Sequence, residues 1–311
     1  MGRIVLHRFV QALMVAWGVG TLTFILLRSL PGDMAFRIAA GRYGYDAVDS
    51  AAAEAVRAEL GLDRPALEQY LDWLADLLQF NLGNTLVSGA PVSLELQHQL
   101  GHSLLLASAA LLLSAVIALP LGIYCALKSH GKLDLASLIA SALLRAQPVF
   151  VIGLLLILAF ALQLGWLPVA GFGTPAHLVL PAIALALSLA AVSNRVIRNS
   201  TYDVLHSAYF EFSRIKGLTA WQTFLRHGVR NIAVPVVAFM GIQLVGLIEG
   251  IVMIESLFSW PGIGHGLAHA IFSRDIPMIQ GAALTMGLIF VFLNTLVDLL
   301  CHWLDPRGNR E

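Results

Sequence analysis

Apolar residues in this chain come in long runs rather than in alternation. The first extends from Phe9 to about Leu30, and five more follow at roughly 103–127, 135–162, 178–194, 232–254 and 281–304. About 20 consecutive apolar residues match the hydrocarbon thickness of a bilayer, so each run predicts a membrane-spanning segment. Lipid offers the backbone no hydrogen-bond partner, so each must be helical. The first run is too long for the apolar part of a secretory signal, and no clean cleavage site follows; it predicts a retained helix. Pro120, Gly122, Pro148, Gly153, Gly241 and Gly246 lie inside the runs, where such residues serve close packing or kinks.

Two polar stretches interrupt this pattern. Residues 31–100 predict a small helical insert after the first span. It opens on the turn signal Pro31-Gly32-Asp33. Ala51–Leu60 and Pro65–Phe80 read as amphipathic helices separated by Gly61-Leu62-Asp63-Arg64, with Leu67, Tyr70, Leu71, Leu74 and Leu78 at helical spacing in the second. Asn81-Leu82-Gly83-Asn84 reads as a turn. Asp46, Asp49, Glu54, Glu59, Asp63, Glu68, Asp72 and Asp76 make the insert acidic, which suits either a solvated surface or a docking face. The second stretch, 196–230, is too long for a simple turn. Tyr209, Phe210, Phe212, Ile215 and Leu218 mix there with Glu211, Arg214 and Lys216, then Gly217 interrupts and Thr219 is placed to cap a helix from Ala220. Two short amphipathic helices joined at a glycine fit an interfacial pair lying on lipid or a helix inserted in a partner's groove; the pattern leaves both open.

Composition sharpens the class. Of 311 residues, 58% are hydrophobic and 12% charged, with a mean hydropathy of +0.79; soluble domains carry about 25% charge. The expected fold is an all-α polytopic membrane protein with six transmembrane helices. The net charge of zero gives no basic patch for nucleic acid. Cys125 and Cys301 are far apart in apolar runs and predict no disulfide. Lys and Arg set the orientation. With both termini cytoplasmic, the inner segments hold Arg3, Arg8, Lys128, Lys132, Arg195, Arg198, Arg214, Lys216, Arg226, Arg230, Arg307 and Arg310, and the insert is extracytoplasmic. The short outer loop 163–177 then has no Lys or Arg, and 255–280 has only Arg274.

Chemistry-bearing motifs are few. Gly131-Lys132 is no phosphate loop, since Ala126 stands where the first glycine is needed and Leu133 where Ser or Thr is needed. Gly262-Ile263-Gly264-His265-Gly266 reads as a loop glycine cluster, not a dinucleotide site. No nucleophile–base constellation suggests an enzyme. Arg145 and Glu249 fall within apolar runs, where charge is costly and marks a path or a pair. His98 with His102, and His265 with His269, are i,i+4 pairs of the kind that share a metal, though neither has a third ligand in sequence. The bland alternative is histidines satisfied at the membrane interface. A secondary transporter would show repeated halves with matched broken helices, and none is visible.

Specific motifs then add a family. Tyr209-Phe210-Glu211-Phe212-Ser213-Arg214-Ile215-Lys216-Gly217-Leu218, continuing to Arg226-His227 and Arg230-Asn231-Ile232-Ala233-Val234-Pro235, resembles the signature of bacterial ABC importer permeases of the dipeptide, oligopeptide and nickel type. Pro31-Gly32-Asp33, Leu60-Gly61-Leu62-Asp63, Gln69-Tyr70, Trp73-Leu74, Leu82-Gly83, Glu255, Phe258, Trp260-Pro261-Gly262-Ile263-Gly264, Arg274-Asp275, Pro277, Ile279-Gln280-Gly281, Asn294, Val297-Asp298 and Asp305-Pro306-Arg307 fit the same family in order and spacing. The resemblance implies a multi-pass protein of the bacterial inner membrane that imports peptides, nickel or metal chelates by ATP-driven alternating access. It implies a second homologous permease, two ATPase subunits that hold ATP and Mg, and an extracytoplasmic binding protein, with no cofactor on this chain. Glu211, Arg214, Lys216, Gly217 and Leu218 would couple to the ATPase; Glu211 departs from the basic or polar residue frequent near there. Arg145, Glu249 and Glu255 would line the path, and Trp260, Pro261, Gly262 and Asp275 the outer loop or gate. The implied division is 1–30 first span, 31–100 insert, 101–304 permease core with coupling helices at 196–230, and 305–311 tail. A channel or a secondary transporter is the rival class.

Overall fold

The structure is a computed structural model that describes residues 2–29, 31–44, 48–61 and 63–304. Asp46, Leu62 and the 305–311 tail lie outside the described residues, as does the side chain of Glu249. The described residues are almost entirely helical: α1 (Gly2–Ser29), α2 (Met34–Tyr43), α3 (Ser50–Leu60), α4 (Ala66–Leu78), α5 (Val92–Leu127), α6 (Lys132–Ala146), α7 (Val149–Leu156), α8 (Ala176–Leu205), α9 (Ala208–Ile215), α10 (Ala220–Thr223), α11 (Val229–Leu257), α12 (Ile263–Ser273) and α13 (Ile276–Leu304). A π-helical turn, Ile157–Gln163, extends α7, and another, Phe224–Gly228, joins α10 to α11.

Among the described residues, four helical stretches are long and apolar enough to cross a membrane unaided: Leu6–Ser29, Val92–Leu127, Ala176–Leu205 and Ile276–Trp303. Two bent pairs raise the number to six if each is one span. The run 135–162 is therefore not the single helix expected. It breaks between Ala146 and Val149, and α6 and α7 meet at 104°. Pro148 is the cause. Its ring bars the preceding residue from helical geometry, and Gln147 is extended at φ −99°, ψ 135°. Pro120, Pro181 and Pro235 sit inside helices that continue through them.

The chain divides into two compact units, residues 104–260 with 292–304, and residues 2–103 with 261–291. In the first, α8 packs on α6, α7 and α11. Its core joins Leu106, Ile152, Leu180, Leu185, Leu247, Ile254, Phe258 and Trp260. Helices α5 and α8 approach so closely at Gly122 that an added Cβ would lie 2.9 Å from the Asn194 carbonyl oxygen, which only glycine tolerates. In the second unit, α2 packs on α3 through Ala35, Ile38, Ala39, Ala53 and Val56. A separate core joins Leu27, Val92, Leu96, Ile263, Ala270, Met278 and Ile279.

Several expected boundaries shift. Asp33, read as part of a turn, caps α2: its side chain accepts from the Ala35 N–H at 2.9 Å. The insert gains a helix the pattern did not suggest. Residues 92–100, assigned to the insert, are the first turns of α5. Residues 196–205, assigned to the polar segment, complete α8. The glycine cluster 262–266 is not a loop but the opening of α12. Both cysteines are free, Cys125 buried and Cys301 partly so, as their positions predict.

Candidate functional site

The segment 206–230 is built by an anchor and a cap. Phe210 turns inward, 4% exposed, and packs with Val204 and Ile232. That contact fixes one face of α9 against the first unit. Helix α9 ends at Lys216, and Gly217 then adopts φ +91°, a conformation side chains rarely take. A Cβ there would meet nothing within 4 Å, so the restriction at Gly217 is conformational, not steric crowding. Thr219 caps α10 as its position predicts: its hydroxyl accepts from the Gln222 N–H at 3.2 Å, and the Thr219 N–H donates to the Gln222 side chain at 3.0 Å. This reciprocal pair is a capping box.

The outward face is apolar and basic together. Phe212, Ile215, Trp221 and Leu225 are exposed, Ile215 at 82% and Trp221 at 66%. Glu211, Arg214, Lys216 and Gly217 are exposed beside them, and Leu218 is half-buried. The Lys216 ammonium sits over the Phe212 ring, 4.5 Å from its centre, where the ring face attracts the charge. The structure thus brings together all five residues assigned to coupling, on one short surface.

One buried carboxylate escaped the sequence reading. Asp134, in the first turn of α6, receives Arg198 in bidentate fashion (Nη2–Oδ2 2.7 Å, Nε–Oδ1 3.3 Å) and Arg195 at 3.0 Å, with the His130 N–H at 3.2 Å. Beside it, the Asn194 amide donates to Ser137 at 2.9 Å. These bonds tie α6 to α8 just above the segment that carries α9. The available signal was an acid at a predicted helix start and two arginines three apart in one later helix.

The proposed path and gate residues fall into groups within each unit: Glu255 and Trp260 meet at one corner of the first, and Pro261, Gly262 and Asp275 line one cavity of the second. Arg145 is exposed in the last turn of α6, next to the break. Glu255 is fully buried at the end of α11, and its carbonyl accepts from the Trp260 N–H at 2.8 Å. Trp260 is also buried and meets the Phe172 ring edge-to-face, with centres 5.1 Å apart. This corner is closed by the Gly171 N–H donating to the Phe258 carbonyl at 2.7 Å.

In the second unit, Asp275 is 3% exposed and acts as a latch. Its carboxylate accepts from the N–H groups of Leu86 (2.9 Å), Val87 (3.3 Å) and Met278 (3.3 Å). Burial pushes its carboxyl up from the usual range, and these backbone donors pull it back. Next to it, Arg274 takes φ +54° and donates to the carbonyls of Gly32, at 3.0 Å, and Pro31. The insert's start, its 85–87 loop and the start of α13 are therefore tied at one point. Pro261 and Gly262 border a cavity that also holds Glu95, His98, His265 and His269. The His98 and His102 rings meet edge-to-face, 4.7 Å between centres, and the His265 and His269 Nε2 atoms are 3.2 Å apart.

Comparison with known proteins places this architecture. Residues 118–310 match the family described as binding-protein-dependent transport system inner membrane component, and residues 1–91 match the N-terminal model of such membrane components. The chain is 36% identical to a glutathione transport system permease protein of Pectobacterium atrosepticum over 93% of this chain and 92% of that one. It is 35% identical to a probable peptide ABC transporter permease protein of Sinorhizobium fredii, over 99% of both chains. It is 33% identical to the glutathione transport system permease protein of Escherichia coli, over 97% of both. The all-helical fold, the spanning helices and these matches along nearly the whole chain agree, and the protein belongs to the binding-protein-dependent transport family as an inner-membrane permease component of the ABC importer type.

Proposed function

We propose that this chain is a membrane subunit of an ATP-driven importer of short peptides, glutathione among them, and that the surface around Gly217 receives the motor. The exposed face of Phe212, Ile215, Trp221 and Leu225 carries this reading. Four large apolar side chains stand outward on a segment that Phe210 and the Thr219 cap hold in place. A short amphipathic helix of this kind suits a partner's groove, and Trp is among the residues that dominate such contacts. With the termini cytoplasmic, as the placement of Lys and Arg suggests, this face lies on the side where ATP is available. A homologous permease, two ATPase subunits and an extracytoplasmic binding protein complete the assembly in this reading.

Peptide cargo is favoured over nickel or metal chelates by the relatives, which are named for glutathione and peptide transport. The test is uptake into proteoliposomes holding the co-expressed importer and its binding protein, supplied with ATP inside. Glutathione or a dipeptide should accumulate, and vanadate should stop it. Accumulation that ignores ATP and vanadate would refute the motor; ATP-driven uptake of nickel with neither peptide competing would refute the cargo.

A further inference from the structure

The cavity of the second unit, about 380 Å³, is walled by two helices that each present metal-ligating side chains to it. On α5, Glu95 and His98 are one turn apart; on α12, His265 and His269 are one turn apart. The sequence spacing alone makes such pairs common and uninformative. Their placement around one cavity is what the fold adds.

The α12 pair is already shaped as a chelate. Its two Nε2 atoms stand 3.2 Å apart. A tetrahedral ion with metal–nitrogen bonds of about 2.0–2.1 Å spans two imidazole nitrogens about 3.3–3.4 Å apart. Both rings can therefore bind one ion with almost no movement of the helix. The same 3.2 Å also fits a single hydrogen bond, in which one Nε2–H donates to the other ring. To bind an ion, the donor ring takes its other neutral tautomer, with the proton on Nδ1, so that both Nε2 lone pairs are free.

We propose that His265 and His269 hold a divalent transition ion of the zinc, nickel or copper class, which Glu95 and His98 complete from the α5 wall of the cavity. Imidazoles with one carboxylate suit these ions over calcium and magnesium, which seek oxygen. Among the described residues, no group of three such side chains already converges on a point. The pair captures the ion first, and rotation of Glu95 and His98 follows. Ligand imidazoles must be neutral. Burial, with the neighbouring His269, holds His265 below the ordinary histidine range. The other titratable groups lining the cavity are Glu95, His98 and Asp275.

The proposal concerns a site on this chain and stands apart from the cargo of the importer. Its test is equilibrium dialysis of zinc against the full-length protein in lipid nanodiscs. Removing even a residue that only supports a ligand weakens a metal site about 10–100-fold. His265→Ala and His269→Ala should each therefore lower zinc affinity at least about tenfold, and His227→Ala, outside the cavity, should leave it unchanged. Glu95→Gln combined with His98→Asn should weaken it further than His227→Ala does. If either α12 variant elutes as aggregate, His265→Gln and His269→Gln, which keep size and polarity, take its place. No zinc bound by the parent, or equal binding in the α12 variants, overturns the site. Equal binding in the Glu95→Gln, His98→Asn protein overturns the role of the α5 wall.

Discussion

Two amphipathic elements, one in each unit, both turn apolar side chains outward, yet they are built oppositely. The α9–Gly217–α10 segment is pinned by the buried Phe210 and capped at Thr219, and it exposes Phe212, Ile215 and Trp221 among Arg214 and Lys216. Helix α4 has no fully buried residue. It leans on α1 through half-buried Tyr70, whose hydroxyl is 2.8 Å from that of Thr21, and through Trp73. It exposes Leu67, Leu71 and Leu78 among Glu68, Asp72 and Asp76. Its charge is held in surface pairs, Arg64 with Asp72 at 2.6 Å and Glu68 at 3.8 Å, which are worth little. Hydrophobic spacing made the two look alike. Anchoring and the sign of the charge separate a basic face pinned by a buried ring from an acidic one seated on half-buried aromatic rings.

The contrast can be broken at the anchor first. Phe210→Ala removes the one buried ring that seats α9 and should cost about 3–5 kcal/mol of local packing. Protease cleavage in 206–220 of membrane-embedded protein should rise sharply while the rest of the chain stays protected. Next, Ile215→Glu puts a charge at the most exposed apolar position of the segment. It should weaken ATPase association by about 2 kcal/mol, roughly thirtyfold, measured by co-purification, with membrane insertion unchanged. Gly217→Val forces a β-branched residue to φ +91° and should cost about 1–3 kcal/mol of strain. The α9–α10 angle would change, so ATP hydrolysis should continue while uptake falls. At the small end, Leu67→Glu on α4 should alter thermal stability within about 0.5 kcal/mol and leave ATPase association as it was.

Much of this was legible beforehand, and the failures have physical causes. Among the described residues, the apolar runs fall on all four helices long enough to cross a membrane and on the two bent pairs, because lipid enforces the pattern directly. Thr219 and Gly217 were readable because a cap and a positive-φ glycine are local devices. Helix α12 was not, because Gly264 and Gly266 argue against a helix by about 1 kcal/mol each. Ile263 and Ala270, buried beside Val92 and Met278, override that cost, and their partners are distant in sequence. The same distance hid the Asp134–Arg198 and Asp275–Leu86 contacts. Pro148 was visible, yet nothing local distinguishes it from Pro120, which its helix absorbs. The five residues assigned to coupling do gather on one surface, whereas Arg145 is exposed and Glu255 fully buried.

The central claim, that the surface around Gly217 and not the face of α4 receives the ATPase, is tested most directly by cross-linking. Cysteine is introduced as Ile215→Cys or Leu67→Cys in a chain whose Cys125 and Cys301 are replaced by alanine, and a short thiol-to-amine cross-linker is added to the assembled importer. A covalent adduct with the ATPase subunit is expected from position 215, diminished when ATP and vanadate trap the motor, and none from position 67. Adducts from position 67, or labelling of position 215 only by reagents dissolved in lipid, would contradict it.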